Sequence, residues 1–234
     1  MAEHLFIEPN DLADLLGSAL MPDVIDVCLE EDHALDPRVV PTARRVPFAE
    51  AAEDTTLGQD RPCVILCQKG LKLSQGVAAV LRSRDAQAQV LRGGMVEWTA
   101  QDQPAWRCDL HPALGEPGQR WCLPSRPGPR DILNIWTITR FVDPQAQSLQ
   151  VEPEQCAAIC ARFDAFDAAF AEELRGYEGP LRFRFAQIAK VLGAGPLKGM
   201  LEAHCAGPYF SATWAKDIYP ALDAIWATCE GQQT

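Results

Sequence analysis

The run Cys63-Val64-Ile65-Leu66-Cys67-Gln68-Lys69-Gly70-Leu71-Lys72 joins a short apolar stretch to a polar loop that contains a glycine. An uninterrupted apolar run is typical of a strand that is buried on both faces in a parallel sheet. The residues after the loop, Ser74 to Arg82, have the apolar spacing of an amphipathic helix. This part of the chain therefore predicts a strand, a tight loop and a helix.

The same alternation extends over residues 1–107. It predicts a helix from Pro9 to Gly17, strands at residues 23–27 and 89–91, a turn at Gly93-Gly94 and a short helix at residues 95–101. Alternating strands and helices predict an α/β domain with a mainly parallel sheet flanked by helices.

The rest of the chain changes character. Residues 108–129 are so dense in proline and glycine that we expect a linker without regular structure. Residues 130–234 are predicted to form a mainly α-helical domain, because apolar residues recur there at the spacing of a helix face. The three apolar stripes are Ile159, Phe163, Phe166 and Phe170; Leu181, Phe185, Ile188 and Leu192; and Ile218, Leu222, Ile225 and Cys229.

Composition limits the possible classes of protein. The chain has 234 residues, of which 47% are hydrophobic and 23% charged, and these values predict an ordinary globular protein rather than a disordered one. No apolar run reaches the roughly 18–20 residues of a membrane span, and we expect no signal peptide and no membrane partner. The net charge of −11 argues against nucleic-acid binding.

Nine cysteines are scattered along the chain. Their odd number and the expected absence of a secretion signal argue against a disulfide framework and favour reduced thiols in the cytoplasm. No Cys-x-x-Cys pair is present, which argues against a zinc site. We expect no metal and no cofactor. Cys156 and Cys160, with His204-Cys205, are conceivable metal ligands, but their apolar surroundings favour core thiols.

Cys67 has the most unusual setting of the nine. It ends a predicted strand, and a loop of Gln68, Lys69, Gly70, Leu71 and Lys72 leads from it into a helix. Such a loop can direct several backbone N–H groups at one point, and the lysines add positive charge, so the thiolate form would be favoured. From these residues alone, a nucleophilic thiolate in an anion-binding loop and a buried strand-end cysteine are equally good interpretations.

The loop resembles the six-residue active-site loop of rhodanese sulfurtransferases, in its thiosulfate-type form. Three further segments resemble that family in the right order: Val24-Ile25-Asp26-Val27, residues 41–48 with their Pro-x-Ala start, and Leu91 to Trp98 with Gly93-Gly94. The resemblance implies that Cys67 takes a sulfane sulfur from a small anionic donor such as thiosulfate. The resulting persulfide would pass it to a thiol or cyanide acceptor.

Some family positions are altered. An arginine of the family is replaced by Cys28, so Asp26 and Cys28 are candidate supporting residues. Cys28 is either a second thiol that resolves the persulfide or a small apolar replacement, and we favour the second. Related phosphatases need an arginine six residues after the cysteine, where this chain has Leu73, so phosphoryl transfer is disfavoured.

The second half resembles the chromate-resistance (ChrB-like) domain. The resemblance rests on residues 120–127 and 132–144, with Trp136 and Phe141-Val142-Asp143-Pro144, and on the end at 218–229. Asn134 replaces the helical cysteine of that family, so its chemistry is not carried over.

Two functions are therefore predicted. The first is a sulfurtransferase that acts through Cys67. The alternative is a non-catalytic protein that binds or senses an oxyanion or a partner, linked to chromate or sulfur-oxyanion resistance; a DNA-binding regulator is a weaker third, given the acidic balance.

Overall fold

The computed structural model describes residues 5–177, 179–193, 198–199 and 213–229. Two groups of residues pack mainly among themselves. We call Met1–Leu16 with Leu20–Glu116 the first unit, and Gly17–Ala19 with Pro117–Thr234 the second unit.

The first unit alternates strands and helices. Its strands are β1 (Phe6–Ile7), β2 (Asp23–Asp26), β3 (Arg38–Val39), β4 (Arg44–Arg45), β5 (Cys63–Leu66), β6 (Ala88–Leu91) and β7 (Trp106–Arg107). Its helices are α1 (Pro9–Asp14), α2 (Glu30–Leu35), α3 (Phe48–Glu53), α4 (Lys72–Arg82) and α5 (Gly94–Ala100).

Five of these strands form one sheet in the order β1-β6-β5-β2-β4, and every neighbouring pair is parallel. Strand β5 lies at its centre with all four residues buried, as its apolar sequence predicts. Helix α4 packs Val77, Ala78 and Leu81 into the same core. The predicted α/β domain with a mainly parallel sheet is confirmed.

The second unit contains more helix than strand, and the predicted helical character is confirmed. Its helices are α6 (Pro129–Phe141), α7 (Cys156–Phe163), α8 (Phe170–Gly176), α9 (Arg182–Gly193) and α10 (Thr213–Thr228). Its strands are β8 (Arg120–Pro124), β9 (Gln147–Val151) and β10 (Ala165–Asp167), which form a parallel sheet in the order β10-β8-β9. Trp136, Phe141, Phe185 and Trp226 pack ring against ring between α6, α9 and α10.

The expectation of a linker without regular structure at residues 108–129 was wrong, because a 3₁₀ helix lies at Cys108–Leu110 and a strand at Arg120–Pro124. This strand is β8, and its residues Trp121, Cys122 and Leu123 are buried. The prolines and glycines flank this strand, and residues up to Glu116 pack with the first unit.

The first apolar stripe does not form one helix. Helix α7 ends at Phe163 because Asp164 adopts a left-handed backbone, with φ +51°, and β10 follows. Phe163 is 55% exposed, whereas Phe166 and Phe170 stack on Trp121. The second and third stripes fall on α9 and α10, except that Leu181 directly precedes α9 and Cys229 directly follows α10. The buried members of these stripes are Leu181, Phe185, Ile188, Ile218, Leu222 and Cys229, and Ile225 is half-buried. The side chain of Leu192 lies outside the described residues.

The interpretation of Cys156 and Cys160 as core thiols was also wrong. Both cysteines are half-buried, and no residue of α7 is fully buried. The helix packs against a small sheet, and its side chains remain partly exposed. His204-Cys205 lie outside the described residues. Among the described helices, none is long and apolar enough to cross a membrane.

Candidate active site

Cys67 lies at the carboxyl edge of the parallel sheet. Strands β2 and β5 run in register, with Asp26 opposite Leu66, so both strands end at this edge. Ligands of open parallel sheets bind at such an edge. The Cys67 side chain is only 5% exposed, and its Sγ lies 3.2 Å from the hydroxyl oxygen of Ser74 in α4. A hydroxyl at this distance can donate a hydrogen bond to a thiolate.

The loop from Cys67 to Lys72 turns its first carbonyls toward α5. The Met95 N–H donates to the Cys67 carbonyl at 3.2 Å, and the Val96 N–H donates to the Gln68 carbonyl at 3.0 Å. The backbone N–H groups of residues 68–73, by contrast, donate to no atom of the residues that the structure describes. Successive N–H groups without an acceptor next to a helix N-terminus form a place where an anion can bind.

Two glycines make this close packing possible. Gly70 and Gly94 both have positive φ, at +64° and +61°. A Cβ on Gly94 would lie 2.0 Å from the Cys67 carbonyl oxygen, and one on Gly70 would lie 2.7 Å from the Leu91 carbonyl oxygen. Glycine permits both the conformation and the contact.

The side chains of the loop point mostly to solvent, away from the packing of the loop on α5. Lys69, Leu71 and Lys72 are exposed, and Gln68 is half-buried. Neither lysine forms an ion pair with any residue in the described part of the chain, so their charges are available to an approaching anion. The Gln75 side-chain amide donates to the Gly70 carbonyl at 3.0 Å and ties the loop to α4.

The family model described as the rhodanese-like domain matches residues 8–101. This segment of the chain is a rhodanese-like domain. No curated protein matches the chain.

Solved structures similar to the rhodanese-like domain include three bacterial and archaeal examples. A rhodanese-related protein from Thermoplasma volcanium is 19% identical over 43% of this chain and 96% of its own, with a TM-score of 0.38. A thiosulfate sulfurtransferase from Pseudomonas aeruginosa is 27% identical over 43% of this chain and 19% of its own, with a TM-score of 0.36. A rhodanese homologue from Thermus thermophilus is 28% identical over 39% of this chain and 96% of its own, with a TM-score of 0.30.

Asp26 and Cys28 adjoin the loop of the rhodanese-like domain. The Cys28 N–H donates to Asp26 Oδ1 at 2.8 Å, and Cys28 packs against the same core cluster as Cys67. Burial raises the pKa of Asp26, against the opposing effect of its hydrogen bonds to Cys28. Burial and the neighbouring Asp26 carboxyl raise the pKa of the Cys28 thiol far above its ordinary value of 9.0.

Arg45 is a neighbour that the sequence did not reveal. It comes from β4, next to β2 in the sheet, and its Nε lies 4.0 Å from Asp26 Oδ2. Its other guanidinium end donates to Glu30 at 2.9 Å. An arginine thus accompanies Asp26 although Cys28 stands where the family has one.

A pocket borders the loop at Gln68, and Cys28 also lines it. Its volume is about 140 Å³, and α2 and α5 supply most of its other walls. Asp32, His33, Asp36 and Arg38 make one side of the pocket polar. Burial lowers the pKa of His33, which disfavours its charged form. The pocket leads to the loop rather than to Cys67 itself, whose sulfur is not among the lining groups.

Ser74 is the other contact that sequence reasoning missed. In the sequence it marks only the start of a helix, but its side chain is fully buried and faces the sulfur. The available signal was its place near the start of α4, in the first turn, where a side chain can turn back to the loop.

Proposed function

We propose that this protein is a sulfurtransferase that carries a sulfane sulfur as a persulfide on Cys67. The observation that carries the proposal is the run of N–H groups at residues 68–73 that have no acceptor among the described residues, in the loop directly after a cysteine whose sulfur contacts Ser74. Such donors stabilise a negative charge, and the thiolate, the persulfide and the departing sulfite are all anions. The rhodanese-like domain supports this class of activity.

The reaction has two displacements. The Cys67 thiolate attacks the outer sulfur of a thiosulfate-like donor, a new S–S bond forms, and sulfite leaves with the electron pair of the broken bond. A thiol or cyanide acceptor, as its anion, then attacks the outer sulfur of the persulfide and regenerates the thiolate. Gln68 to Lys72 would bind the donor through their backbone N–H groups, with Lys69 and Lys72 attracting it.

Asp26 and Cys28 would support the site without reacting. A thiol whose pKa is raised by burial and by a neighbouring carboxyl is protonated at neutral pH and is a poor nucleophile. This property favours Cys28 as a packing residue over a resolving thiol. Leu73, the sixth residue after Cys67, offers no guanidinium for a phosphoryl group, which also favours sulfur chemistry.

A second candidate function is the non-catalytic binding of an oxyanion or a partner. The low exposure of Cys67 favours it, because a donor must reach the sulfur for transfer but need only reach the N–H groups for binding. The resemblance of the second half to chromate-resistance domains makes chromate and sulfur oxyanions the ligands to try under this alternative.

Mass spectrometry of the intact protein after incubation with thiosulfate distinguishes sulfur transfer from non-catalytic binding. We expect an adduct of one sulfur atom, removed by cyanide with release of thiocyanate, and ping-pong kinetics. Cys67→Ala abolishes the adduct. The matched control is Cys63→Ala, because Cys63 begins the strand that leads to Cys67 and burial raises its pKa to about 11.

An adduct that survives Cys67→Ala would refute the assignment. Calorimetric binding of sulfate or chromate, with no adduct from thiosulfate, persulfides or other sulfur donors, would favour the non-catalytic alternative.

A further inference from the structure

Three cysteines of the second unit converge on one point. Cys122 on β8 and Asp167 on β10 are register partners in neighbouring parallel strands, so their side chains lie side by side on one face of the small sheet. Cys156 and Cys160 are four residues apart on α7, which places both on the same face of that helix. Helix α7 packs on β8 and β10 and brings the two pairs together.

The distances are those of a coordination shell. The three sulfurs lie within 4.8 Å of one another, with Cys156 Sγ and Cys160 Sγ 4.0 Å apart. Cys156 Sγ lies 3.7 Å from Asp167 Oδ2. In a tetrahedral zinc site the ligand bond lengths place two sulfurs about 3.8 Å apart and a sulfur and an oxygen about 3.5 Å apart. The three sulfurs therefore lie close to the spacing of one coordination shell, and Asp167, whose Oδ2 is near the Cys156 sulfur alone, is the adjacent carboxylate that would complete it after a side-chain rotation.

The carboxylate is already oriented. Asp167 Oδ1 accepts a hydrogen bond from the Ala169 N–H at 2.8 Å, which leaves Oδ2 next to the Cys156 sulfur. Partners of this kind fix the ligands of metal sites. A pocket of about 220 Å³ is lined by Cys122, Cys156 and Asp167 and gives an ion a route to the cluster.

We propose that Cys122, Cys156, Cys160 and Asp167 bind one thiophilic divalent cation of the Zn²⁺ class, through three thiolates and one carboxylate. Coordination releases the three thiol protons and changes no oxidation state. The site is separate from the proposed sulfur transfer, and neither proposal depends on the other.

The ligand atoms select the cation. Three of the four proposed ligand atoms are cysteine sulfurs, which are soft donors. Hard cations such as Mg²⁺ and Ca²⁺ prefer oxygen ligands and do not displace thiol protons, whereas Zn²⁺ and its surrogate Co²⁺ do.

Titration of the reduced, chelator-treated full chain with Co²⁺ tests the proposal. A Cys67→Ser background removes the proposed catalytic thiol from the measurement. We expect one Co²⁺ per chain, sulfur-to-cobalt charge-transfer absorption in the near ultraviolet, d–d bands of tetrahedral intensity, and loss of all these bands when Zn²⁺ is added.

Variants assign the ligands. Cys156→Ser and Cys160→Ser, at half-buried positions that tolerate serine, each weaken Co²⁺ binding by about tenfold or more and reduce the charge-transfer absorption. Asp167→Asn weakens binding but keeps the charge-transfer absorption. Cys229→Ser, a buried thiol of the same unit outside the cluster, changes neither. Far-ultraviolet circular dichroism of each variant confirms that it is folded.

Several results would overturn the site. Weak octahedral bands, bands that persist in a Cys156→Ser/Cys160→Ser double variant, or equal losses in Cys229→Ser would each do so. A Cys156–Cys160 disulfide in mild oxidant, with no Co²⁺ bound by the reduced chain, would show a redox pair in place of a metal site.

Discussion

The Ser74 hydroxyl is the nearest side-chain partner of the Cys67 sulfur, at 3.2 Å. Hydrogen bonds to a charged group contribute about 1.5–3 kcal/mol, so Ser74→Ala should slow persulfide formation from thiosulfate by about tenfold or more. Quenched-flow mass spectrometry of the Cys67 adduct measures this rate. Because Ser74 touches the reacting sulfur, the loss should appear in the first displacement and leave the fold intact.

Ser83→Ala is the control for that substitution. Ser83 follows the same helix, is exposed, and donates only to the Val80 carbonyl at 2.7 Å. Equal rates in Ser74→Ala and the wild-type protein would mean that the loop N–H groups alone stabilise the sulfur anion.

For single residues, the sequence predicted the loop after Cys67 but not the side chains that contact Cys67 and Asp26. Cys67, Gly70 and the lysines are neighbours along the chain, so their relation follows from local spacing. Ser74 and Arg45 reach Cys67 and Asp26 only through the first turn of a helix and the pairing of two strands. The pairing that brings Arg45 to Asp26 has no local sequence signal, and the signal for Ser74 is only its place in the first turn of the helix.

Helix α4 and the start of α5 offer a pair of glycine substitutions with opposite expected effects. Gly76 lies in the middle of α4, and a Cβ added to it would meet no atom within 4 Å. Gly76→Ala should raise the free energy of unfolding by about 0.5–1 kcal/mol, because alanine has the higher helix propensity. Gly94→Ala, at the start of α5, should lower it by about 2–5 kcal/mol through its positive φ and the overlap with the Cys67 carbonyl.

Urea unfolding followed by circular dichroism measures both changes. Gly94→Ala should also reduce formation of the Cys67 adduct, because the loop must move away from α5, whereas Gly76→Ala should leave it unchanged. A neutral Gly94→Ala would contradict the close packing of the loop on α5.

Among the elements, buried strands and long helices were predicted well and the small sheet was not. Strand β5 and helix α4 have strong periodic patterns. Strands β8, β9 and β10 are three to five residues long, and two of them are mostly exposed or half-buried. Phe163, Phe166 and Phe170 mimic one helix face because α7, β10 and α8 follow each other closely. A left-handed Asp164 separates them, and aspartate only weakly signals that conformation.

The whole chain carries a net charge of −11, yet the proposed donor is an anion. At long range the protein repels such a donor, so binding depends on local positive charge near the loop. Lys69 and Lys72 are exposed and form no ion pair within the described residues, which suits this role. The thiol cluster of the second unit has the opposite requirement, because its proposed ligand is a cation.

The salt dependence of sulfur transfer follows from this charge distribution. A Lys69→Gln/Lys72→Gln variant should lower kcat/KM for thiosulfate by about fivefold at low ionic strength, mainly through KM, since each exposed charge contributes a few tenths of a kcal/mol to about 1 kcal/mol. The difference from the wild-type protein should largely vanish at about 1 M salt, where the screening length is about 3 Å. A Lys190→Gln/Lys198→Gln variant removes the same charge from the second unit and is the matched control. If both variants lose activity equally, net charge rather than the loop lysines governs donor binding; a loss that persists at high salt would mean that the lysines contact the donor directly.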